Sequence, residues 1–194
     1  GKVVVWGDDV TRYYGEISAR GGPKGGDGGS AEVSGKNHLA FDGKVNLAAP
    51  KGRDGTLLLD PTDIIVAEGG GALPADVDAF ADAAGTSQTI DPDALNAVAG
   101  NVTLQATNNI NINDAISLDT NGASFTAQAG RNITVDASIS TSNGAILLSA
   151  GDAGGPGVAG AALNVGATLN SGGADITLQN TRSGGIALDR NVNA

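Results

Sequence analysis

Residues 101–116, NVTLQATNNININDAI, and residues 124–139, SFTAQAGRNITVDASI, superimpose without a gap at a spacing of 23 residues. Val102 falls on Phe125, Thr103 on Thr126, Gln105 on Gln128, Ile110 on Ile133 and Ile116 on Ile139. The pattern continues down the chain. Ile146 follows Phe125 at a spacing of 21, Leu163 follows Ile133 at 30, and Ile186 follows Leu163 at 23. Ile176-Thr177-Leu178-Gln179 supplies a further copy. The extra residues of the longest spacing fall in 152–160, DAGGPGVAG, a loop composition between apolar triplets. A fixed period of this size marks a solenoid: the unit is too small to bury its own apolar face and is stable only when stacked on its neighbours.

Within each copy, apolar and polar residues alternate. Val102 and Leu104 flank Thr103, and Ile110 and Ile112 flank Asn111. Period two sends alternate side chains to opposite faces of a strand, so one face is buried. Each copy holds two or three strands of about three to five residues between corners rich in Gly, Asn, Asp and Ser. The predicted fold is all-β, a right-handed parallel β-helix with coils about 4.8 Å apart. Its core ladders run through Val102, Phe125, Ile146 and Ile176, and through Ile110, Ile133, Leu163 and Ile186. Asn109 and Asn132 are also in register. They are expected to be structural, their amides hydrogen-bonding from coil to coil at a corner. A β-sandwich is the alternative, but it gives no reason for a near-constant period. Aromatic residues are only 3% of the chain and 31 of 194 residues are glycine, which suits a thin Val/Ile/Leu/Ala core rather than one deep centre.

Three regions follow. Residues 1–68 form looser first coils, with alternation through Val3, Val5, Ile17, Val33, Leu39, Phe41, Val45 and Leu47 and an exposed glycine loop at 21–30. Residues 69–99 are an excursion: a small, acidic loop over 69–90, then a short helix over 92–99 riding on the stack. Asp91 suits its N-cap, Pro92 its first position and Gly100 its stop. Residues 100–194 form the regular coils. Loops 21–30, 69–90 and 152–160 are expected to be displayed.

The net charge is −10, from 11 basic and 21 acidic residues, which disfavours nucleic acid and anionic membrane surfaces as partners. No run approaches 18 apolar residues, so no membrane insertion is expected. With no cysteine there is no disulfide, thiolate metal site or cysteine nucleophile. There is no methionine either, position 1 included, as expected of a piece of a longer or processed chain. His38 is the single histidine, has no evident Ser or Cys partner, and reads as an ordinary surface position. Paired carboxylates could serve a carbohydrate-cleaving site, but Asp136 aligns with Asn113 and Gly166, and no acidic ladder persists between copies. Structural calcium is the one cofactor left open, at Asp8-Asp9, Asp60/Asp63 or Asp76/Asp78/Asp82, none with a recognised loop spacing. Residues 26–31 fit a G-x-G-x-x-A string with no helix expected after it, which fails the context test for dinucleotide binding.

Several segments together resemble a known family. They are GKVVVWGDDVTRYYGEISARGG (1–22), GGDGGSAEVSGKNHLAFDGKVNLAAPKGRDGTLLLDPTDIIV (25–66) and DALNAVAGNVTLQATNNININDAI (93–116). Their order resembles the repeat region of filamentous-haemagglutinin-type exoproteins, the large secreted partners of two-partner secretion systems in Gram-negative bacteria. The resemblance implies a parallel β-helix, export through an outer-membrane partner barrel, and roles in adhesion, surface filaments, biofilm or contact-dependent competition. The family's Asn-Pro-Asn export signature is absent, and Arg53-Asp54-Gly55 is not the Arg-Gly-Asp tripeptide of some adhesins, so no functional residue carries over. The expected function is a non-enzymatic shaft segment of a secreted or cell-surface adhesin. Its expected partners are the secretion barrel, further copies stacked end to end, and a host or neighbour-cell surface or glycan. A carbohydrate-binding or polysaccharide-cleaving β-helix is the alternative.

Overall fold

The computed structural model describes residues 1–70, 88–152 and 160–194. Asp76/Asp78/Asp82 and most of the loops expected at 69–90 and 152–160 lie outside the described residues.

Among the described residues, seven coils follow one another. Each contributes a strand to the first wall: Lys2–Gly7, Ser30–Gly35, Thr56–Leu59, Asn101–Ala106, Phe125–Ala129, Ile146–Ala150 and Ile176–Asn180, hydrogen-bonded in chain order. On the second wall, Ile64–Val66, Ile110–Ile112, Ile133–Val135, Leu163–Val165 and Ile186–Leu188 form one sheet. Val10–Tyr13 pairs separately with His38–Phe41. The third wall stacks Ile116–Leu118, Ile139–Thr141, Leu169–Asn170 and Val192–Asn193, with Glu16–Ser18 on Lys44–Asn46 as a separate pair. Every ladder between these strands is parallel, which makes the chain a parallel β-helix and excludes the sandwich.

Alternation in the sequence becomes alternation in burial. In Asn101–Ala106 the inward Val102, Leu104 and Ala106 are buried, and the residues between them are half-buried. Val102 lies beside Phe125, Phe125 beside Ile146, and Ile146 beside Ile176. Ile110, Ile133 and Leu163 stack in the same way, ending on Ile186. The inner members are fully shielded, but Ile186 is 44% exposed and Ile176 only partly buried. Those two therefore belong to the ladder's register without belonging to its shielded core, because they stand in the outermost coil.

The third coil departs from the others. The next described strand after Ile64–Val66 is Gln88–Ile90, which pairs with Ile64–Val66 and packs beside His38–Phe41. A five-residue helix follows, Pro92–Asn96. Asp91 caps it, its carboxylate accepting from the Asp93 backbone N–H at 2.9 Å. Pro92, Ala94 and Leu95 are buried, and Asn96 Oδ1 accepts from Ser117 N at 2.8 Å. The expected helix over 92–99 is shorter and is part of the wall rather than riding on it. Ala99 has already rejoined the ladder: it bridges Asn46, donating to Val45 O at 3.1 Å and accepting from Leu47 N at 2.8 Å. The helix and Ala99 thus fill the third-wall place between Lys44–Asn46 and Ile116–Leu118.

His38 lies in the strand next to Gln88–Ile90. The residue is only 8% exposed, in a strand whose four residues are all buried. The surface position expected for it is corrected: its strand is enclosed between Val10–Tyr13, with which it pairs, and Gln88–Ile90, which packs beside it. The glycine loop is corrected in part. Residues 23–27 are exposed, but Gly28 N donates to Arg53 O at 2.9 Å and Asp27 Oδ1 accepts from Arg53 N at 2.9 Å. At the corner above, a Cβ on Gly55 would stand 1.8 Å from Gly29 O, so close stacking of backbones demands glycine there.

Candidate functional site

The outward residues of the first wall form columns along the stack. One column places Trp6 beside Ser34, Gln105 beside Gln128, Gln128 beside Ser149 and Ser149 beside Gln179. Val33 pairs with Leu59 and Leu59 with Leu104. The residues that follow them, Ser34, Asp60 and Gln105, therefore occupy successive levels of this column. A groove of about 150 Å³ opens along its middle, lined by Asp60, Gln105, Ala106, Thr107, Gln128, Gly130 and Asp152.

Hydrogen bonds link the groove residues in one direction. Gln105 Nε2 donates to Gln128 Oε1 at 2.8 Å, and Gln128 Nε2 donates to Asp152 Oδ2 at 3.4 Å. Ser149 Oγ also donates to Asp152 Oδ2, at 2.8 Å, and accepts from Gln179 Nε2 at 2.9 Å. Each amide is thereby held at a fixed level, with part of its hydrogen-bonding capacity left over. Burial, and then the Glu32 carboxylate, pushes the Asp60 carboxyl above its ordinary value. Glu32 lies 4.0 Å from Lys2 Nζ. At the top of the column Trp6 is 52% exposed and donates from Nε1 to Asp8 Oδ1 at 3.3 Å. Below it, the buried Ser34 Oγ has no hydrogen-bond partner.

Asn109 and Asn132 stand at a corner of the second wall. Asn132 Nδ2 donates to Asn109 Oδ1 at 3.1 Å, and Asn132 Oδ1 accepts from Ala162 N at 2.9 Å. The foot of this ladder, absent from the sequence expectation, is Asp63: its Oδ1 accepts from Asn109 N at 3.0 Å and Nδ2 at 3.1 Å. Asp63 also accepts from Asn108 Nδ2, at 3.1 Å. Its carboxylate is committed to protein donors, as is Asp9, which accepts from Asn37 Nδ2 at 2.9 Å. Among the described residues, no group of three or more His, Asp or Glu converges as a metal-holding set.

The column was half visible in the sequence. Gln105 and Gln128 are in register by simple superposition. Asp60 and Asp152 are not, because each lies at a corner where the copies differ. Strand Ser30–Gly35, not a helix, follows the glycine string at 26–31, which removes the dinucleotide context. No helix among the described residues is long and apolar enough to cross a membrane. The chain matches no protein-family model and no curated protein.

Proposed function

We propose that this chain is a non-enzymatic shaft segment of a large secreted surface protein of Gram-negative bacteria, of the filamentous-haemagglutinin type. The observation that carries the reading is the unbroken parallel register of the first wall through all seven coils, reinforced by amide ladders outside the core. Such a stack resists deformation along its axis because neighbouring coils share both backbone hydrogen bonds and packed side chains. The segment order that resembles those exoproteins supports export through an outer-membrane partner. Ile186 and Leu188 are exposed in strand Ile186–Leu188, and Val4 and Trp6 are exposed on the outer face of the first wall. A parallel strand edge accepts a further parallel strand, supplied by the parent chain or by a second copy, and end-to-end assembly of copies into a filament is the form of this reading put to test. Negative-stain microscopy over a concentration series tests this. Rods that lengthen with concentration are expected; uniform single particles throughout would overturn end-to-end assembly.

A second reading, polysaccharide cleavage, has one observation in its favour: Asp60 and Asp152 line one groove. Asp60, with its raised pKa, has the character of a general acid. Its would-be partner is too far away. Asp60 belongs to the third coil and Asp152 to the sixth, about 14 Å along the axis at about 4.8 Å per coil. Carboxylate pairs in glycosidases stand roughly 5–9.5 Å apart. Asp152 is moreover held by Ser149 and Gln128. The groove is better suited to holding a ligand than to breaking one.

A further inference from the structure

We propose that the outward column of the first wall binds an uncharged linear polysaccharide laid along the stack axis. The inference rests on the non-catalytic reading above and names the ligand class and the residues that would hold it. Three features point to this occupant. First, Gln105 and Gln128 present amides at consecutive levels of a groove, each fixed by a neighbour, so little side-chain ordering remains when a ligand arrives. Amides, which both donate to and accept from hydroxyl groups, and carboxylates, which accept from them, are the recognition chemistry of sugars, and repetition along the axis suits a repeating ligand. Second, the column carries an exposed indole, Trp6, an apolar plate of the kind on which sugar rings stack. It lies three coils from Gln105, about 14 Å away along the axis, so one extended chain can touch both.

Third, charge selects among polymers. Glu32, Asp60 and Asp152 face this side, and the nearby Lys2 is already beside Glu32. An anionic chain, whether nucleic acid or sulfated glycan, meets like charge here and in the net charge of −10. A neutral polysaccharide carries no such penalty.

Trp6 is the only tryptophan in the chain, so its fluorescence reports on the column directly. The test is affinity electrophoresis of the full chain through gels containing a neutral linear β-glucan or heparin, together with Trp6 fluorescence during β-glucan titration. Retardation by the β-glucan and a shift in Trp6 emission are expected, with no retardation by heparin. Trp6→Ala should weaken retardation about tenfold, the scale of one lost aromatic contact, and Gln128→Ala about fivefold, the scale of one lost hydrogen bond. Trp6→Phe should retain most of it. Thermal melts establish that each variant is folded; because Trp6 is largely exposed, its variants keep the test open should Gln128→Ala fail to fold. No retardation by the β-glucan, retardation by heparin alone, or β-glucan retardation unchanged in folded Trp6→Ala would overturn the proposal. Assaying the same incubations for new reducing ends tests the shaft reading separately. Their release would overturn that reading, while the groove stands or falls on retardation.

Discussion

Coils four to six and coils two to three solve the same packing problem by different means. In coils four to six each wall receives a strand from the coil's own repeat, and Val102, Phe125 and Ile146 simply stack. Among the described residues, coil three places no strand of its own in the third wall. The helix Pro92–Asn96 and the backbone of Ala99 fill that place, while the short strand Gln88–Ile90 is added to the second wall between Ile64–Val66 and His38–Phe41. The aromatic pair Tyr13 and Phe41, stacked with ring centroids 5.9 Å apart, lies on the same irregular side. A coil thus needs the wall positions filled and the backbone groups satisfied, whichever segment fills them. Sequence repetition is sufficient for this architecture but not required at every level of it.

The comparison can be broken experimentally. The largest effect is expected at the corner where backbones nearly touch. Gly55→Val places carbon against Gly29 O and should abolish folding at ordinary temperature, as judged by the loss of the circular-dichroism melting transition. Next is the irregular wall itself. If the helix is as structural as a strand, Leu95→Ala should cost about 2–5 kcal/mol, matching Leu104→Ala from the regular coils. A cost near zero in denaturant titrations would show that the helix only rests on the stack. Asp63→Ala should be somewhat milder, about 2–3 kcal/mol, because Asn109 N and the amides of Asn108 and Asn109 lose their acceptor together.

The smallest effect belongs to Asp60. Its folded-state pKa is raised, so the native state holds that proton more tightly than the unfolded chain does. Its stabilising contribution is therefore present at low pH and lost as pH rises through the raised pKa. Asp60→Asn should lift the Tm by about 1–2 °C at pH 7, and the gain should vanish below about pH 4, where both chains are uncharged at this position.

The period was legible because inward positions recur at nearly constant spacing, and a ladder of Ile and Val tolerates no slip. That is why Ile110 could be placed over Ile133 from letters alone. Residues 88–99 were not legible in the same way. QTI has no sister copy, and its partners, Ile64–Val66 and the neighbouring His38–Phe41, lie outside any repeat. The site divides along the same line. Gln105 and Gln128 sit on strands and align; Asp60, Asp63 and Asp152 sit at corners, where loop lengths vary and superposition gives no guide. Trp6 shares their column only through a chain of pairings across coils of unequal length.

The claim beneath all of this is register, and a chain without native cysteine is well suited to testing it. Thr103 lies directly beside Thr126 on the outer face of the first wall. The double variant Thr103→Cys/Thr126→Cys should oxidise to an intramolecular disulfide, since side-by-side strand residues fall within the roughly 4.4–6.8 Å Cα separation that a disulfide spans. Thr103→Cys/Gln128→Cys, offset by two residues, should remain a dithiol under the same oxidant, because its Cα atoms stand about 8 Å apart. Thiol titration and mass spectrometry of the folded protein read both. Oxidation of the offset pair with the level pair left reduced would contradict the stacking of residues 101–106 on 125–129, and with it the rod.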